Sequence, residues 1–357
     1  MGPSPQRSWH KWGRRAVWPA GRIYSAAMRM RASLYANRVL GSWRPPAPCV
    51  SVGNISLGAS GKTPLAEWIL QLAVSRGMTP SLLTRGYRGR PPKYPLLVRP
   101  ETPARESGDE PLLLARSCRE ALVVVDPRRD RGGQWVWERY QPDLFVLDDG
   151  MQHLRVLRDI NLVLLGPGDL ERDWDMVLPS GPWREGEKAL NRADAFVLNA
   201  APQSQEAMLA RIRTRVSLGN RPVFSVHPET VGLRRPDGTN LKVFPSEPYL
   251  LVSGVGRPGR VEQSATHLLG EPPSRHLVFP DHHPFPAKDR ELIRRTADAL
   301  GCEAIVCTAK DSVKLEDMSE PRLAYLDLRL RFGTAANTDL DFSAWLEKAF
   351  LYPRPRS

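Results

Sequence analysis

A chain of 357 residues with 41% apolar content is long enough for about two domains, each with its own core, which excludes a fibrous or wholly disordered protein. Its 34 prolines are scattered singly among short apolar runs and read as loop punctuation, not as a Pro-rich tract. The formal charge of +12 is concentrated: residues 1–66 carry ten basic side chains and no acid, Glu67 is the first carboxylate, and the remainder is nearly neutral.

That N-terminal arm also holds Trp9, Trp12, Trp18 and Trp43, with Tyr24 and Tyr35. A nucleic-acid enzyme spreads its basic surface through the folded domain, because each phosphate contact needs its own cation, so no nucleic-acid partner is expected. Cations with interfacial aromatics suit an anionic bilayer surface, where each contributes about 1 kcal/mol. Composition alone leaves a solvated tail or an RNA-contacting arm equally open. Residues 1–44 are read as a membrane-associating segment, with a helix between Gly21 and Gly41 that places Ile23, Ala27, Met30 and Leu34 at helical spacing. Its arginines fall on more than one face, which suits shallow docking. No stretch approaches the roughly 18 apolar residues of a spanning helix, and arginines interrupt any signal-peptide core, so a cytoplasmic protein is expected. The four cysteines, Cys49, Cys118, Cys302 and Cys307, form no CxxC pair and read as reduced core residues.

Beyond Pro48, continuous apolar runs recur at Cys49–Val52, Ser81–Thr84, Ala121–Val125, Leu144–Leu147, Leu162–Leu165 and Phe196–Leu198. Such runs indicate strands buried on both faces. Helices at Pro64–Ser75 and Glu110–Cys118 lie between them, so residues 45–220 predict a parallel sheet of βαβ units. The turn Pro236-Asp237-Gly238 between Val223–Arg234 and Leu241–Phe244 predicts a hairpin, and residues 221–244 are read as a two-stranded linker. Strands at Tyr249–Val252, His276–Phe279, Ala304–Cys307 and Leu323–Leu326, with helices at Gly259–Leu269 and Ala287–Leu300, predict a smaller α/β domain over residues 245–357.

The strongest chemical signal is Gly53-Asn54-Ile55-Ser56-Leu57-Gly58-Ala59-Ser60-Gly61-Lys62-Thr63-Pro64, between a predicted strand and a predicted helix. Its amides and the helix N-terminus can surround phosphate oxygens, Lys62 can reach the β and γ phosphates of ATP, and the Thr63 hydroxyl can bind Mg²⁺. The general phosphate-loop pattern asks for glycine where this chain has Ser56. Asp143–Asp149 reads as a buried strand ending in two carboxylates, Asp148 and Asp149, suited to Mg²⁺ or its water shell.

The blocks GNISLGASGKTP, TRGYRG (84–89), GDEPLLLA (108–115), DDGMQH (148–153), LPSGPWRE (178–185), FPDHHPF (279–285) and TAKDSVKL (308–315) occur in one order along most of the chain. Together they resemble the tetraacyldisaccharide 4'-kinase family, the lipid A 4'-kinases of Gram-negative bacteria. The resemblance implies a P-loop α/β core joined by a two-stranded linker to a smaller α/β domain. It implies transfer of the γ-phosphate of ATP to the 4'-hydroxyl of an acylated glucosamine disaccharide 1-phosphate. A peripheral position on the cytoplasmic face of the inner membrane follows. This chain departs from the family at Ala59, Met151 and Ala309, which replace a glycine, an aromatic residue and a glutamate.

The resemblance implies roles residue by residue. Gly58, Ser60, Gly61, Lys62 and Thr63 hold nucleotide; Thr63, Asp148 and Asp149 serve the metal; and His153 orients a phosphate or acceptor group. Asp109 takes the sugar hydroxyl proton with His282 as partner, a carboxylate–imidazole pair apt for activating an alcohol. Two alternatives stay open: Asp109 caps the helix that follows it, or His283 rather than His282 faces the site. Arg85, Tyr87 and Arg88 are candidates for holding the anionic acceptor. Arg184, Glu185, Lys310 and Asp311 are weaker candidates, the last two equally readable as a strand-end turn.

Overall fold

The computed structural model describes residues 18–58, 61–241 and 248–351, so Trp9, Trp12, Ala59, Ser60 and most of Leu241–Phe244 lie outside the described residues. The fold is mixed α/β with a large, mostly parallel sheet. By proximity the chain divides into two compact units, neither continuous in sequence. One comprises residues 1–82, 129–227 and 332–357; the other comprises 83–128 and 228–331. This division differs from the continuous spans 45–220 and 245–357 read in the sequence. Segment 83–128, with its GDEPLLLA block, belongs with the second unit, because order along the chain does not report which segments pack together.

In the first unit, strand Cys49–Asn54 lies between Leu144–Asp148 and Ile160–Leu165, parallel to both, with Val52 opposite Asp148 and Leu162. Ala195–Asn199 continues the sheet, Phe196 pairing with Val163. These strands are buried along their length, as their uninterrupted apolar runs require. Each strand ends at the same edge, which brings Asn54, Asp148 and the loops after them together, the usual place for a ligand in an open parallel sheet. The N-terminal helix, Trp18–Ala36, buries Gly21 and Ser25 and leaves Ile23 and Met30 exposed. Among the described residues no helix is long and apolar enough to cross a membrane.

In the second unit, Tyr249–Ser253 lies between Arg275–Val278 and Ala304–Thr308, all parallel, and Ala304–Thr308 pairs in turn with Leu323–Ala336. The register sets Ser253 beside Val278, and Cys307 beside Val252, so the segments 254–256, 279–283 and 308–311 leave one edge together. Helix Asp109–Ser117 packs on helix Ala309–Leu315. A short antiparallel pair, Leu96–Val98 with Leu122–Val125, was not read from the sequence.

The turn at Pro236–Gly238 forms, with Gly238 N donating to Arg235 O at 2.9 Å and Gly238 at φ 87°. The long strand Val223–Arg234 has Leu323–Ala336 as its neighbour in the sheet. Ser225 Oγ donates to Thr334 O at 2.9 Å, and Arg234 pairs with Asp327 at 2.9 Å. Past the turn Arg234 bridges Asn240 antiparallel, with Leu241 N donating to Leu233 O at 3.0 Å, and strand Val223–Arg234 has a further neighbour from sequence about a hundred residues away, a pairing that no local turn signal announces. All four cysteines are buried thiols.

Candidate active site

The phosphate loop leaves strand Cys49–Asn54 and enters helix Lys62–Ser75 through Gly58 and Gly61, at φ 119° and 86°. Only glycine takes these angles without strain, and a Cβ on Gly61 would come 2.8 Å from Asn199 Nδ2. Lys62 opens the helix, and its Nζ donates to Asn54 Oδ1 at 2.8 Å and lies 3.3 Å from Asp149 Oδ1. Arg184 Nη1 meets Asp149 Oδ2 at 2.7 Å and Gln152 Oε1 at 3.1 Å, and Gln152 returns to Asn54 O at 3.1 Å. Burial acts to raise the Asp149 pKa, but Lys62 and Arg184 outweigh it and hold the carboxyl below its ordinary range. Arg184, a minor candidate by sequence, is therefore an integral part of this cluster. Its neighbour Glu185 faces elsewhere, paired with Arg192 through two bonds of 2.6 and 2.9 Å.

Residues present here fit a magnesium ion. Thr63, Asp148 and Asp149 offer hard oxygen donors, and Asp149 Oδ1 is buried without a hydrogen-bond partner among the described residues, 3.3 Å from the Lys62 ammonium. Among the described residues no group of three or more His, Cys, Asp or Glu could hold a metal by itself. Mg²⁺ is commonly held by one or two carboxylates, with water and phosphate completing its shell.

His153 sits among the arginines around the turn 148–153. Burial first, and then Arg129, Arg158 and Arg31, push its pKa down to about 4, so the ring is neutral at pH 7. Arg158 beside it donates to the carbonyls of His153 and Val156 from Nη1, at 3.0 and 3.1 Å, and to Met151 O from Nη2 at 3.1 Å. Burial lowers the Arg158 pKa to about 10, still well above neutral pH. The half-buried Arg158 guanidinium thus ties down the turn 148–153 and the residues just after it.

The second cluster lies wholly within the other unit. His282 Nδ1 donates to Asp109 Oδ2 at 3.0 Å, and Lys314 Nζ donates to the same oxygen at 3.0 Å. Asp109 Oδ1 makes no hydrogen bond among the described residues. Asp109 is the first residue of its helix, whose N-cap position is Gly108 with no side-chain cap hydrogen bond, and its carboxylate is instead held by His282 and Lys314. Gly108 before it, at φ 89°, permits the turn, because a Cβ there would meet Tyr87 O at 2.7 Å. Burial acts to raise the Asp109 pKa, but the His282 hydrogen bond and Lys314 overcome it, and the net shift is downward.

His282 holds φ 59°, an uncommon backbone region for a non-glycine residue that recurs at functional sites. His283, by contrast, bonds Asp289 at 2.7 Å and stacks on Phe279, so it is His282 that meets Asp109. Tyr87 packs its ring 5.5 Å from that of His282, and Arg88 donates to Asp281 O at 2.8 Å. Arg85 is exposed and takes no part in this contact set.

Lys314 was not singled out by sequence. It is 7% exposed, spans Asp109 and Asp311 at 3.0 and 3.2 Å, and lies 5.4 Å over the Phe285 ring. Asp311 is fully buried and accepts from Gly254 N at 2.9 Å and Thr308 Oγ1 at 2.7 Å, while Lys310 pairs with Glu110. Asp311 thus joins a turn contact to Thr308 with longer-range ones to Gly254 and Lys314, and Lys310 reaches helix Asp109–Ser117 through Glu110. A cleft of about 1080 Å³ opens on Asp109 and His282, with Leu112 and Val313 among its apolar walls.

A family model described as Tetraacyldisaccharide-1-P 4'-kinase matches residues 13–348. The tetraacyldisaccharide 4'-kinase of Nitratidesulfovibrio vulgaris is 44% identical over 332 residues, covering 92% of each chain. That of Oleidesulfovibrio alaskensis is 43% identical over 307 residues, covering 83% of this chain and 82% of its own. Among solved structures, LpxK from Aquifex aeolicus in complex with ATP matches with a TM-score of 0.75 at 27% identity, over 95% of this chain and 98% of that one.

Proposed function

Because this chain belongs to the tetraacyldisaccharide-1-phosphate 4'-kinase family and is a lipid A 4'-kinase, we propose that Asp109 takes the proton from the acceptor's 4'-hydroxyl while Lys62 holds the phosphates of ATP. The observation that carries this assignment is the double grip on Asp109 Oδ2. His282 and Lys314 fix one oxygen, and the other is left for a hydroxyl in the cleft. A carboxylate held below its usual range is a weak base. It suits phosphoryl transfer through a loose transition state, in which the alcohol gives up its proton as the new P–O bond forms.

Lys62 exchanges its contacts with Asn54 and Asp149 for the β and γ phosphates, keeping its charge on the oxygens where negative charge accumulates. Thr63, Asp148 and Asp149 are the residues that would hold Mg²⁺, which when bound neutralises the β and γ oxygens. Arg184 keeps Asp149 oriented. Tyr87 and Arg88 border the hydroxyl-binding region. The N-terminal helix rests on the cytoplasmic face of the inner membrane through Ile23, Met30 and its arginines, so the enzyme reaches an acceptor whose acyl chains stay in the bilayer.

The test is transfer of label from γ-labelled ATP, with Mg²⁺, to detergent-dispersed tetraacyldisaccharide 1-phosphate by wild-type protein and by D109N. Label in the lipid with wild type, lost in D109N while ATP binding persists, is the expected result. Equal transfer by both proteins overturns the assignment of Asp109.

A further inference from the structure

The cleft that opens on Asp109 is lined by six cations, Arg88, Arg90, Arg105, Arg116, Arg290 and Lys314, against four acids, Asp109, Glu101, Glu316 and Asp317. Four of the cations are spoken for. Arg116 forks onto Glu316, with its Nη2 at 2.9 Å, and donates from Nε to Pro100 O at 2.9 Å. Arg290 donates to Phe285 O at 2.8 Å and faces Asp317 at 3.5 Å. Arg88 serves Asp281 O, and Lys314 serves two carboxylates.

Arg90 and Arg105 differ. Neither guanidinium has a carboxylate within ion-pair distance among the described residues, and both are exposed. Their main chains are joined, Arg90 N donating to Arg105 O at 2.8 Å, so two like charges rise from one rung of backbone. Adjacent like charges repel unless an anion lies between them. The same two residues also border a side recess of about 370 Å³.

We infer that Arg90 and Arg105 bind the phosphate monoester that the acceptor already carries, which anchors the sugar with its hydroxyl end toward Asp109. This inference rests on the kinase reading above. Two planar guanidinium forks match the oxygens of a monoester dianion, and Leu112 and Val313 in the same cleft offer apolar surface to a sugar ring. The ligand class is therefore a sugar phosphate, and the Arg pair sets preference for an acceptor that is already phosphorylated once.

The test measures transfer to two acceptors, tetraacyldisaccharide 1-phosphate and the same lipid without its phosphate, by full-length wild type, R90A/R105A and R90K/R105K. Charge-assisted bonds of this kind predict a KM for the phosphorylated lipid about 10- to 100-fold higher in the alanine variant, with kcat within about threefold. KM for the dephosphorylated lipid should not move, and the lysine variant should recover part of the loss. Glucosamine 1-phosphate should compete with the lipid in wild type and not in the alanine variant, whereas inorganic phosphate at equal concentration should compete poorly. An equal KM penalty on both acceptors, or competition by inorganic phosphate as strong as by the sugar phosphate, overturns the inference. Failure of wild type to phosphorylate either lipid would strike the kinase reading itself, a distinguishable outcome.

Discussion

Replacing Lys314 with methionine isolates what the buried ammonium does, because methionine keeps most of the side-chain volume and removes the charge. At 3.0 Å from Asp109 Oδ2, the ammonium–carboxylate attraction is about 5 kcal/mol at an effective dielectric near 20, and about 1.4 kcal/mol if water fills the space at full dielectric. Even the lower figure equals about one pH unit. The lysine favours the ionised carboxylate, and so does the His282 hydrogen bond that remains. Losing Lys314 also leaves Asp109 and the buried Asp311 without the cation between them, which pushes the Asp109 pKa the same way. The acidic limb of kcat/KM should therefore move up by one pH unit or more in K314M, whereas K314R should restore it at least in part. Thermal stability will fall as well, since stripping one partner from a buried pair typically costs about 3–5 kcal/mol. The decisive readout is the pH profile of lipid phosphorylation. A K314M enzyme with lower Tm and an unmoved acidic limb would refute an electrostatic role and reduce Lys314 to packing.

Lys62→Ala should slow transfer at saturating ATP by about a hundredfold or more, measured as labelled lipid per minute, because transition-state charge loses its nearest cation. Asp109→Asn should leave ATP affinity within about twofold by calorimetry while slowing transfer by about a hundredfold or more. His153 binds its proton less readily in the fold, at about pH 4 against 6.5 for an ordinary histidine, so the unfolded chain holds more protons between those values. The stability it contributes is complete above pH 6.5 and is lost as pH falls toward 4, about 2 kcal/mol after allowance for partial water access; H153Q should flatten that part of the urea-midpoint profile relative to wild type. Ile23→Glu with Met30→Glu should reduce co-sedimentation with anionic vesicles, most visibly at high salt where the arginines are screened, without changing ATP affinity.

Much of the sheet is legible because a strand buried on both faces must be apolar at every position, as in Leu144–Leu147 and Leu162–Leu165. The phosphate loop is legible because glycine, lysine and threonine act within a few residues of one another. Helix Arg129–Tyr140 escapes such reading, since it is largely polar and carries Gly132 and Gly133 in its middle. The grouping of 83–128 with 228–331 escapes it too, because no local pattern encodes packing between segments separated by a hundred residues or more. Asp109 and His282 are 173 positions apart, and Lys314 is 205 from Asp109. The choice between His282 and His283 turns on a backbone angle and a stacked ring, neither written in a dipeptide. Arg184 is hidden for a related reason: its partner Asp149 lies 35 residues earlier, on a different loop.

Arg158 gives the turn 148–153 an unusual kind of scaffold. The carbonyls of Met151 and His153, and of Val156 just beyond the turn, converge on this one side chain, with longer contacts of 3.5 Å to Met151 O from Arg192 and to His153 O from Val156 N. A lysine at that position would carry the same sign of charge on a tip too compact to reach all three. Conformational integrity of the nearby acidic pair is in this sense delegated to the flatness and breadth of one half-buried ion, and exchange between the two basic residue types there would be among the least innocent in the molecule.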